Sequence, residues 1–278
     1  MIQEHWKKTM HKCNVLMFAA GLGTRLRPHT YQHPKPAIPL FRIPLGYYLI
    51  PYIQKLRIEN FIVNTFHLPE QIHQLYQKLD LSIRFSDEKE FIRGSAGGLK
   101  HAEALLNKNY PILIANSDEV LFAEKEDFLT KALEQHENQK ALATLIVMEH
   151  PEAGKKFGGI WTKKNSSQVI HIGKDCSEQD VKAWHFVGLQ FVSGEILNFI
   201  ADDSEKNIFY DLMVYYLKTK KVEIFPVSID WYETGNIQDY LKAKEEISEK
   251  IDKKNSIYLS HFENLKKLPL SEISDLTE

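Results

Sequence analysis

The sequence predicts an α/β protein built on a parallel sheet, because strand and helix patterns alternate from the first apolar run onward. Residues 15–18 form an apolar run of strand length, and residues 61–66 are rich in β-branched and aromatic side chains. Between them, residues 44–57 carry apolar side chains at helical spacing. A helix that joins two strands is the right-handed crossover unit of a parallel sheet. Pro51 interrupts this helical pattern, so the helix either kinks there or begins late.

The later elements follow the same patterns. The spacing of apolar residues predicts helices at 69–79, 124–139, 207–218 and 238–250, and strands at 81–85, 111–115, 141–148 and 222–227. After residue 151 the rhythm changes to short strands, at 158–161, 168–172 and 184–192. We expect one domain with an elaborated end.

The composition is that of an ordinary soluble globular protein. The 278 residues are 43% apolar and 26% charged, and a chain of this length can bury a full core. With 35 Lys and Arg against 37 Asp and Glu, the net charge of −2 indicates no nucleic-acid partner. Cys13 and Cys176 are expected to be free thiols. The polar start and the short apolar runs predict a cytoplasmic protein with no membrane partner.

The first predicted strand ends in a loop of small residues, Ala19-Ala20-Gly21-Leu22-Gly23-Thr24. Side chains this small let backbone N–H groups approach a bound anion closely. Arg25 and Arg27 follow, and Lys35 stands between two prolines. Fixed cations beside such a loop predict a triphosphate site. A dinucleotide fingerprint would need a third glycine in place of Leu26, and the Gly-Lys-Ser/Thr of a P-loop is absent here.

This stretch resembles a known signature. Gly21-x-Gly23-Thr24-Arg25-Leu26-x-Pro28, followed by Pro34-Lys35-Pro36-x-x-Pro39, resembles that of the sugar-1-phosphate nucleotidylyltransferases, the enzymes that make NDP-sugars. The resemblance implies a Rossmann-like three-layer α/β/α fold with a mixed, mostly parallel central sheet.

The resemblance also implies a domain organisation. Residues 1–254 would form the nucleotidyltransferase domain, with a nucleotide-binding half at 1–150 and a sugar-phosphate-binding half at 151–254. Residues 255–278 would be a C-terminal extension, either a partner-contacting helix or a mobile segment. The extension is too short for the hexapeptide β-helix that some members of the family carry, so we expect the single-domain form.

A second glycine-rich stretch, residues 93–99, precedes a predicted helix. Free N–H groups at such a helix entry can hydrogen-bond a base edge or a phosphate. The stretch resembles the Gly-Thr-(Ala/Gly)-Gly segment of the family, with Ser95 in the threonine place. The resemblance implies that the nucleotide is held by residues of both loops: Ala19, Ala20, Gly21, Gly23, Thr24, Arg25, Gly97 and Gly98.

Two acidic positions are candidate metal ligands. Asp118 follows a predicted apolar strand, and ligands gather at the carboxyl ends of strands in open α/β sheets, although an aspartate there can also cap a turn. Residues 231–236 resemble the closing Trp-x-Asp-x-Gly signature of the family, with Glu233 where aspartate is usual. The resemblance implies Mg²⁺ held by Asp118 and Glu233, and glutamate keeps the hard oxygen donor that this ion prefers. Glu119 is expected to be a solvated neighbour.

The second half of the chain carries the candidate acceptor residues. Phe157-Gly158 and Gly188 resemble an aromatic-glycine pair and a glycine of the sugar pocket, although a tight strand or bulge explains either glycine equally well. Many members carry Glu-Lys-Pro where this chain has Gly173-Lys174-Asp175. Only Lys174 matches, and the resemblance implies that it binds the sugar phosphate. The alternative is an ordinary solvated lysine.

The resemblance implies transfer of NMP from a nucleoside triphosphate to a sugar 1-phosphate, with pyrophosphate released. Arg25 would hold the β- and γ-phosphates, Lys35 would bridge the α-phosphate and the sugar phosphate, and Asp118 would hold the metal. A non-catalytic sugar-nucleotide-binding relative, or a nucleotidyltransferase acting on choline phosphate, are the alternatives. The base, the sugar and the state of the protein, monomer or homo-oligomer, stay open.

Overall fold

The computed structural model describes residues 11–202 and 206–277. A nine-stranded central sheet contains β1 (Lys12–Phe18), β4 (Arg57–Thr65), β5 (Ile83–Asp87), β6 (Ile112–Asn116), β8 (Ala143–Met148), β9 (Gly159–Lys163), β10 (Val169–Gly173), β11 (Val181–Val192) and β12 (Val222–Pro226). Two small sheets pair β2 (Pro39–Leu40) with β3 (Ile43–Pro44) and β7 (Val120–Ala123) with β13 (Ile229–Tyr232). The helices are α1 (Ile50–Ile53), α2 (Pro69–Gln77), α3 (Gly94–His101), α4 (Phe128–Gln139), α5 (Val214–Tyr216), α6 (Ile237–Asp252) and α7 (Ser256–Leu265).

The central sheet is mixed, as predicted. β5, β4, β1 and β6 are parallel neighbours in that order. β11 runs antiparallel to both β6 and β8, and β8 is parallel to β12. β8 and β12 therefore point the same way as the four N-terminal strands, which confirms the mostly parallel sheet. The N-terminal part of β11 continues into an antiparallel pairing with β9, and β9 pairs with β10.

Both faces of the sheet are buried, which confirms the three-layer architecture. Alternate side chains of β1 lie on opposite faces: Val15 and Met17 join one hydrophobic cluster and Leu16 joins the other. The first cluster contains side chains of α1, α2, α4, α6 and α7, and the second contains those of α3 and of the segment around α5. Because successive side chains of β1 point to opposite faces and both faces are buried, the strand is a continuous apolar run in the sequence.

The structure decides between the two alternatives for residues 44–57. A 3₁₀ turn covers Leu45–Tyr47, and α1 begins only at Ile50, with Pro51 in its first turn where its missing N–H costs nothing. The regular helix therefore begins late. The helix predicted at 207–218 is also irregular, since a π-helical turn at Ile208–Met213 leads into the short α5.

The C-terminal segment, predicted as an extension that either contacts a partner or stays mobile, packs on the protein itself. Tyr258, Phe262 and Leu265 of α7 are buried in the first hydrophobic cluster. Beyond α7, the Asp275 carboxylate accepts hydrogen bonds from the backbone N–H groups of Phe41 (2.9 Å) and Arg42 (2.8 Å). Among the helices of the described residues, none combines the length and the apolarity that crossing a membrane requires.

Candidate active site

A cleft of about 230 Å³ opens at the carboxyl ends of β1 and β6. β4 lies on one side of β1 and β6 on the other, so this edge is the point where the strand order reverses and where α/β sheets bind ligands. The cleft is lined by Phe18, Ala19, Gly21, Gly23, Thr24, Arg25, Lys35, Pro36, Ser117, Asp118 and Gly235.

The loop after β1 has the close approach that its small residues predict. Gly23 has a φ of 59° and precedes a 3₁₀ turn over Thr24–Leu26, and a Cβ at Gly23 would lie 2.7 Å from Thr30 Cγ2. The Thr30 hydroxyl donates to the Gly23 carbonyl oxygen at 2.9 Å, which fixes the turn. A Cβ at Gly21, in contrast, would meet nothing within 4 Å. Gly21 therefore borders open space within the cleft. Ala20 lies buried behind the loop.

Two cations and two acids form ion pairs around the cleft. The Lys35 ammonium pairs with the Asp118 carboxylate, and Arg25 Nη2 lies 3.9 Å from Glu233 Oε1. Lys35 is held in a 3₁₀ turn between the buried residues Pro34 and Pro36, and its side chain is only 14% exposed. The Arg25 side chain is 68% exposed, so it has room to move toward a ligand.

The pairing of β7 with β13 brings the two acids to the same region. Val120 of β7 lies opposite Tyr232 of β13, so Asp118 just before one strand and Glu233 just after the other become neighbours. The Thr234 hydroxyl donates to the Asp118 carbonyl oxygen at 3.3 Å, and Gly235 lines the cleft. A Cβ at Gly235 would lie 2.2 Å from Glu233 Oε1 and 2.6 Å from Arg25 Nη2, so these two side chains approach the backbone closely.

The donor set around the cleft fits a magnesium ion that is bound together with phosphates. No group of three His, Cys, Asp or Glu side chains forms a ready-made metal cage among the described residues. Mg²⁺, however, usually takes one or two carboxylates, with phosphate oxygens and waters as the other ligands. Asp118 and Glu233 offer hard oxygens of this kind, and each already faces a cation that a metal could replace.

Glu119 is not the solvated neighbour that we expected from the sequence. Its carboxylate accepts hydrogen bonds from Asn116 Nδ2 (2.8 Å) and Trp231 Nε1 (2.7 Å), and it leaves no room for a Cβ at Gly188, which has a φ of 76°. Burial, and to a smaller extent the Asp118 carboxylate, raises the pKa of Glu119 to about 7. The expectation was wrong because Trp231 and Gly188, which enclose Glu119 together with the nearby Asn116, lie far along the chain.

The second glycine-rich stretch lies beside the first loop and is joined to it by buried hydrogen bonds. Gly97 and Gly98 are buried in the first turns of α3 rather than lining the cleft. A Cβ at Gly98 would lie 2.9 Å from both Asn64 Nδ2 and Glu88 Oε1, so the glycine lets the helix pack on these side chains. No pattern in the sequence indicated that Asn64 or Glu88 would support the site.

Asn64 and Glu88 connect the two loops. Asn64 Oδ1 accepts from the Ala19 N–H at 2.8 Å, and Asn64 Nδ2 donates to Glu88 Oε1 at 2.8 Å. Glu88 Oε2 accepts from the Arg93 N–H at 2.8 Å. Both polar side chains are buried, at 2% and 4% exposure. The Ala19 N–H is therefore used within the protein and is not available to a ligand, although other atoms of Ala19 line the cleft.

A second cavity of about 240 Å³ adjoins the cleft, and Phe18 lines both. It contains two of the predicted acceptor residues, Gly158 and Gly188, together with Ser95 of the second glycine-rich stretch. Lys174 is exposed directly after β10, outside the residues that line either space. Its predicted grip on a sugar phosphate therefore stays a prediction.

The fold is a Rossmann-like three-layer α/β/α fold with a mixed, mostly parallel sheet, and the cleft lies at the switch point of that sheet. The structure of UDP-glucose pyrophosphorylase complexed with UDP-glucose superposes with a TM-score of 0.70 at 17% identity, covering 87% of this chain and 100% of the other. HddC from Yersinia pseudotuberculosis complexed with GMP-PN gives a TM-score of 0.67 at 20% identity, covering 85% and 99%.

Sequence comparison identifies the family. The nucleotidyl transferase family model matches residues 14–250, so the chain belongs to that family. A UTP–glucose-1-phosphate uridylyltransferase from Synechocystis is 26% identical over 82% of this chain, and a mannose-1-phosphate guanyltransferase from Pichia angusta is 26% identical over 88%. The chain spans 61% and 67% of the lengths of these two relatives.

Proposed function

We propose that the protein transfers a nucleoside monophosphate from a nucleoside triphosphate to a sugar 1-phosphate. The observation that carries the proposal is the cleft, where Arg25, Lys35 and Asp118 converge beside a second cavity large enough for an acceptor. The two curated relatives, whose names state uridylyl and guanylyl transfer to sugar phosphates, support this reaction type.

The reaction is an in-line displacement at the α-phosphorus. A phosphate oxygen of the sugar 1-phosphate forms the new bond to this atom, and the bond to the bridging oxygen of the β-phosphate breaks, which gives an NDP-sugar and pyrophosphate. The barrier consists mainly of repulsion between two anions and of charge that grows on the leaving pyrophosphate. Placing the two substrates and supplying positive charge are therefore the main tasks of the protein.

Each charged side chain of the cleft has a task in this scheme. Lys35, whose backbone lies in a 3₁₀ turn flanked by two prolines, bridges the α-phosphate and the incoming sugar phosphate. Arg25, whose side chain is exposed, turns toward the β- and γ-phosphates and stabilises the leaving group. Asp118 and Glu233 would hold Mg²⁺ through the carboxylates that now pair with Lys35 and Arg25. When bound, the ion neutralises phosphate charge and polarises the α-phosphate.

The backbone and the second cavity complete the assignment. Open space at Gly21 lets the main chain approach the phosphates. The helix entry that contains the buried Gly97 and Gly98 would face the base, as the family resemblance implies. The acceptor would lie in the second cavity, against Gly158 and Gly188. Lys174, two residues after the lining residue Ile172, remains a candidate for its phosphate.

Pyrophosphate release tests this proposal. The purified protein with Mg²⁺ is offered each nucleoside triphosphate with a panel of sugar 1-phosphates, and with choline phosphate as the non-sugar acceptor. We expect turnover with at least one triphosphate and sugar pair. Arg25→Ala and Asp118→Ala should each lower kcat by at least about 100-fold, because each removes charge stabilisation at the reacting phosphates.

Exposed residues of the same types supply the controls. Arg57→Ala at the start of β4 and Asp252→Ala at the end of α6 remove a charge of the same sign away from the cleft. Both should retain wild-type turnover. If pyrophosphate is released only with choline phosphate, the protein is a nucleotidyltransferase for a non-sugar acceptor. If it binds a nucleotide but releases no pyrophosphate with any acceptor, it is a non-catalytic relative.

A further inference from the structure

We infer that Gln190 determines acceptor specificity, by accepting a hydrogen bond from one hydroxyl group of the sugar that occupies the second cavity. This inference rests on the proposed function. It assigns to a side chain of β11 the selection of a hydroxylated acceptor over a deoxygenated one.

The position of Gln190 is unusual for an amide. It lies in the middle of β11, opposite Ile114 of β6 on one side and Leu145 of β8 on the other. Its neighbours in the strand, Leu189 and Phe191, are fully buried apolar residues. An apolar side chain would suit this part of the sheet, so the packing of the strand gives no reason for a glutamine.

The amide oxygen is buried without a partner. Gln190 is 3% exposed, and its Oε1 atom is shielded from solvent and has no hydrogen-bond partner among the described residues. Buried polar atoms in folded proteins are almost always hydrogen-bonded, and a ligand is one of the groups that can supply the missing bond. Gln190 itself lines the second cavity, so a rotation of its amide when a ligand binds would bring this oxygen to the cavity and give it the partner that it lacks.

The cavity wall around Gln190 restricts what can supply that bond. Its lining combines apolar side chains such as Ile160 and Ile172 with uncharged polar ones, and among the residues that the structure describes it includes no lysine, arginine or acid. An uncharged donor therefore suits this space better than an ammonium group. An amide oxygen accepts from O–H or N–H, and the O–H groups of a sugar are donors of this kind.

The second cavity lies next to the cleft in which the phosphates are proposed to react. Asn116 lines it at the end of β6, only two residues before Asp118, and Phe18 lines both the cavity and the phosphate cleft. A sugar bound here would have its 1-phosphate toward the cleft and its ring against β11. Gln190 would then contact the ring, away from the atoms that react.

Replacing the amide by an apolar side chain tests the inference. The wild-type enzyme is assayed with its best sugar 1-phosphate and with the monodeoxy analogues of that sugar, one for each hydroxyl group. We expect wild type to disfavour one deoxy analogue by at least about 100-fold in kcat/KM, since a site built to bond a hydroxyl rejects the analogue that lacks it. In Gln190→Leu this discrimination should fall to about 10-fold or less, mainly through KM, with discrimination against the other analogues unchanged.

The controls separate specificity from folding. Gln190→Leu should unfold at the wild-type temperature or above, because it removes a buried unpaired group. Gln190→Met, which keeps the unbranched shape, repeats the test if leucine does not fit. Gln179→Leu, in the exposed loop after β10, should keep the wild-type profile.

The outcomes are distinct. If wild type is active and both Gln190 variants keep its analogue profile, or lose activity equally on every acceptor, this inference is overturned and the proposed function stands. If wild type releases no pyrophosphate with any acceptor, the proposed function fails and the inference fails with it.

Discussion

Lys35 and Asp118, 83 residues apart in the chain, form an ion pair inside the cleft. Each therefore neutralises the other in the absence of substrate. Lys35 is proposed to bind phosphate and Asp118 to bind metal. When a metal-bound nucleotide arrives, the Lys35–Asp118 pair would therefore be replaced by a Lys35–phosphate pair and an Asp118–metal pair. In the free protein the two partly exposed side chains therefore stay paired until the substrates replace them.

Lys35→Met tests this exchange. We expect kcat to fall by at least about 100-fold, since the ammonium group would stabilise the charge of two phosphates in the transition state. Asp118 would lose its partner, so Mn²⁺ binding by the nucleotide-free protein, measured by calorimetry, should become tighter. Lys164→Met, which removes an exposed lysine paired with Asp180, is the control for both measurements. Wild-type turnover in the Lys35 variant would refute the assigned role.

Glu233→Asp tests the second metal ligand. Shortening the side chain by one methylene draws the carboxylate away from Arg25 and changes its reach toward a metal, so the dependence of turnover on Mg²⁺ and Mn²⁺ concentration should shift by several-fold. Titration of activity with each metal measures the effect. Glu246→Asp, on a nearby helix, is the matched control. If the two variants give the same metal curves as wild type, Glu233 does not act as a ligand.

Gly21→Ala separates ligand contact from folding. A methyl group at this position meets no protein atom within 4 Å, so we expect a change in Tm of less than about 2 °C. It would occupy space next to the proposed phosphates, and KM for the triphosphate should rise by about 10-fold or more. Gly23→Ala gives the opposite pattern, because its φ of 59° and its contact with Thr30 should lower Tm. An unchanged KM in Gly21→Ala would remove this loop from the nucleotide site.

Local signals in the sequence were sufficient for the loop and for the sheet that holds it. The apolar run of β1, the glycines after it and the proline-flanked Lys35 are close in sequence, and the cleft brings them together as predicted. The alternation of strand and helix likewise predicted the parallel part of the sheet. Periodicity could not place the start of α1, because a proline suits either a kink or a first turn.

Long-range pairing accounts for what the sequence did not reveal. β7 and β13 are four residues each, too short for a periodic pattern, yet their pairing places Asp118 near Glu233 and Trp231 against Glu119. Asn64 and Glu88 belong to different elements and become one hydrogen-bonded unit only in the folded sheet. Asn64, Glu88 and the two hydrogen bonds of Glu119 were missed because no sequence motif carries them, whereas Lys35, Asp118, Arg25 and Glu233 were found through their motifs.

Asp275→Ala tests whether the C-terminal segment is part of the domain. The Asp275 carboxylate accepts two backbone N–H groups of the turn at Phe41 and Arg42 and lies 3.2 Å from Lys244 Nζ. Its loss should destabilise the fold by about 1–3 kcal/mol, measured by urea unfolding. Glu272→Ala, in the same segment but with a side chain that is 89% exposed, should change stability by less than about 0.5 kcal/mol. Equal stability of the two variants would mean that the segment contributes little.

Buried histidines make the fold sensitive to acid. Burial lowers the pKa of His136 to about 4, from 6.5 in the unfolded chain, and its Nδ1 lies 2.9 Å from Thr144 Oγ1. Between pH 6.5 and 4 the unfolded state binds more protons than the folded state, so stability is lost as the pH falls through this window. One such group contributes at most about 1.4 kcal/mol per pH unit. Urea unfolding at pH 7, 6 and 5 should give a shallower decline for His136→Gln than for wild type, and parallel declines would show that His136 takes up its proton without unfolding.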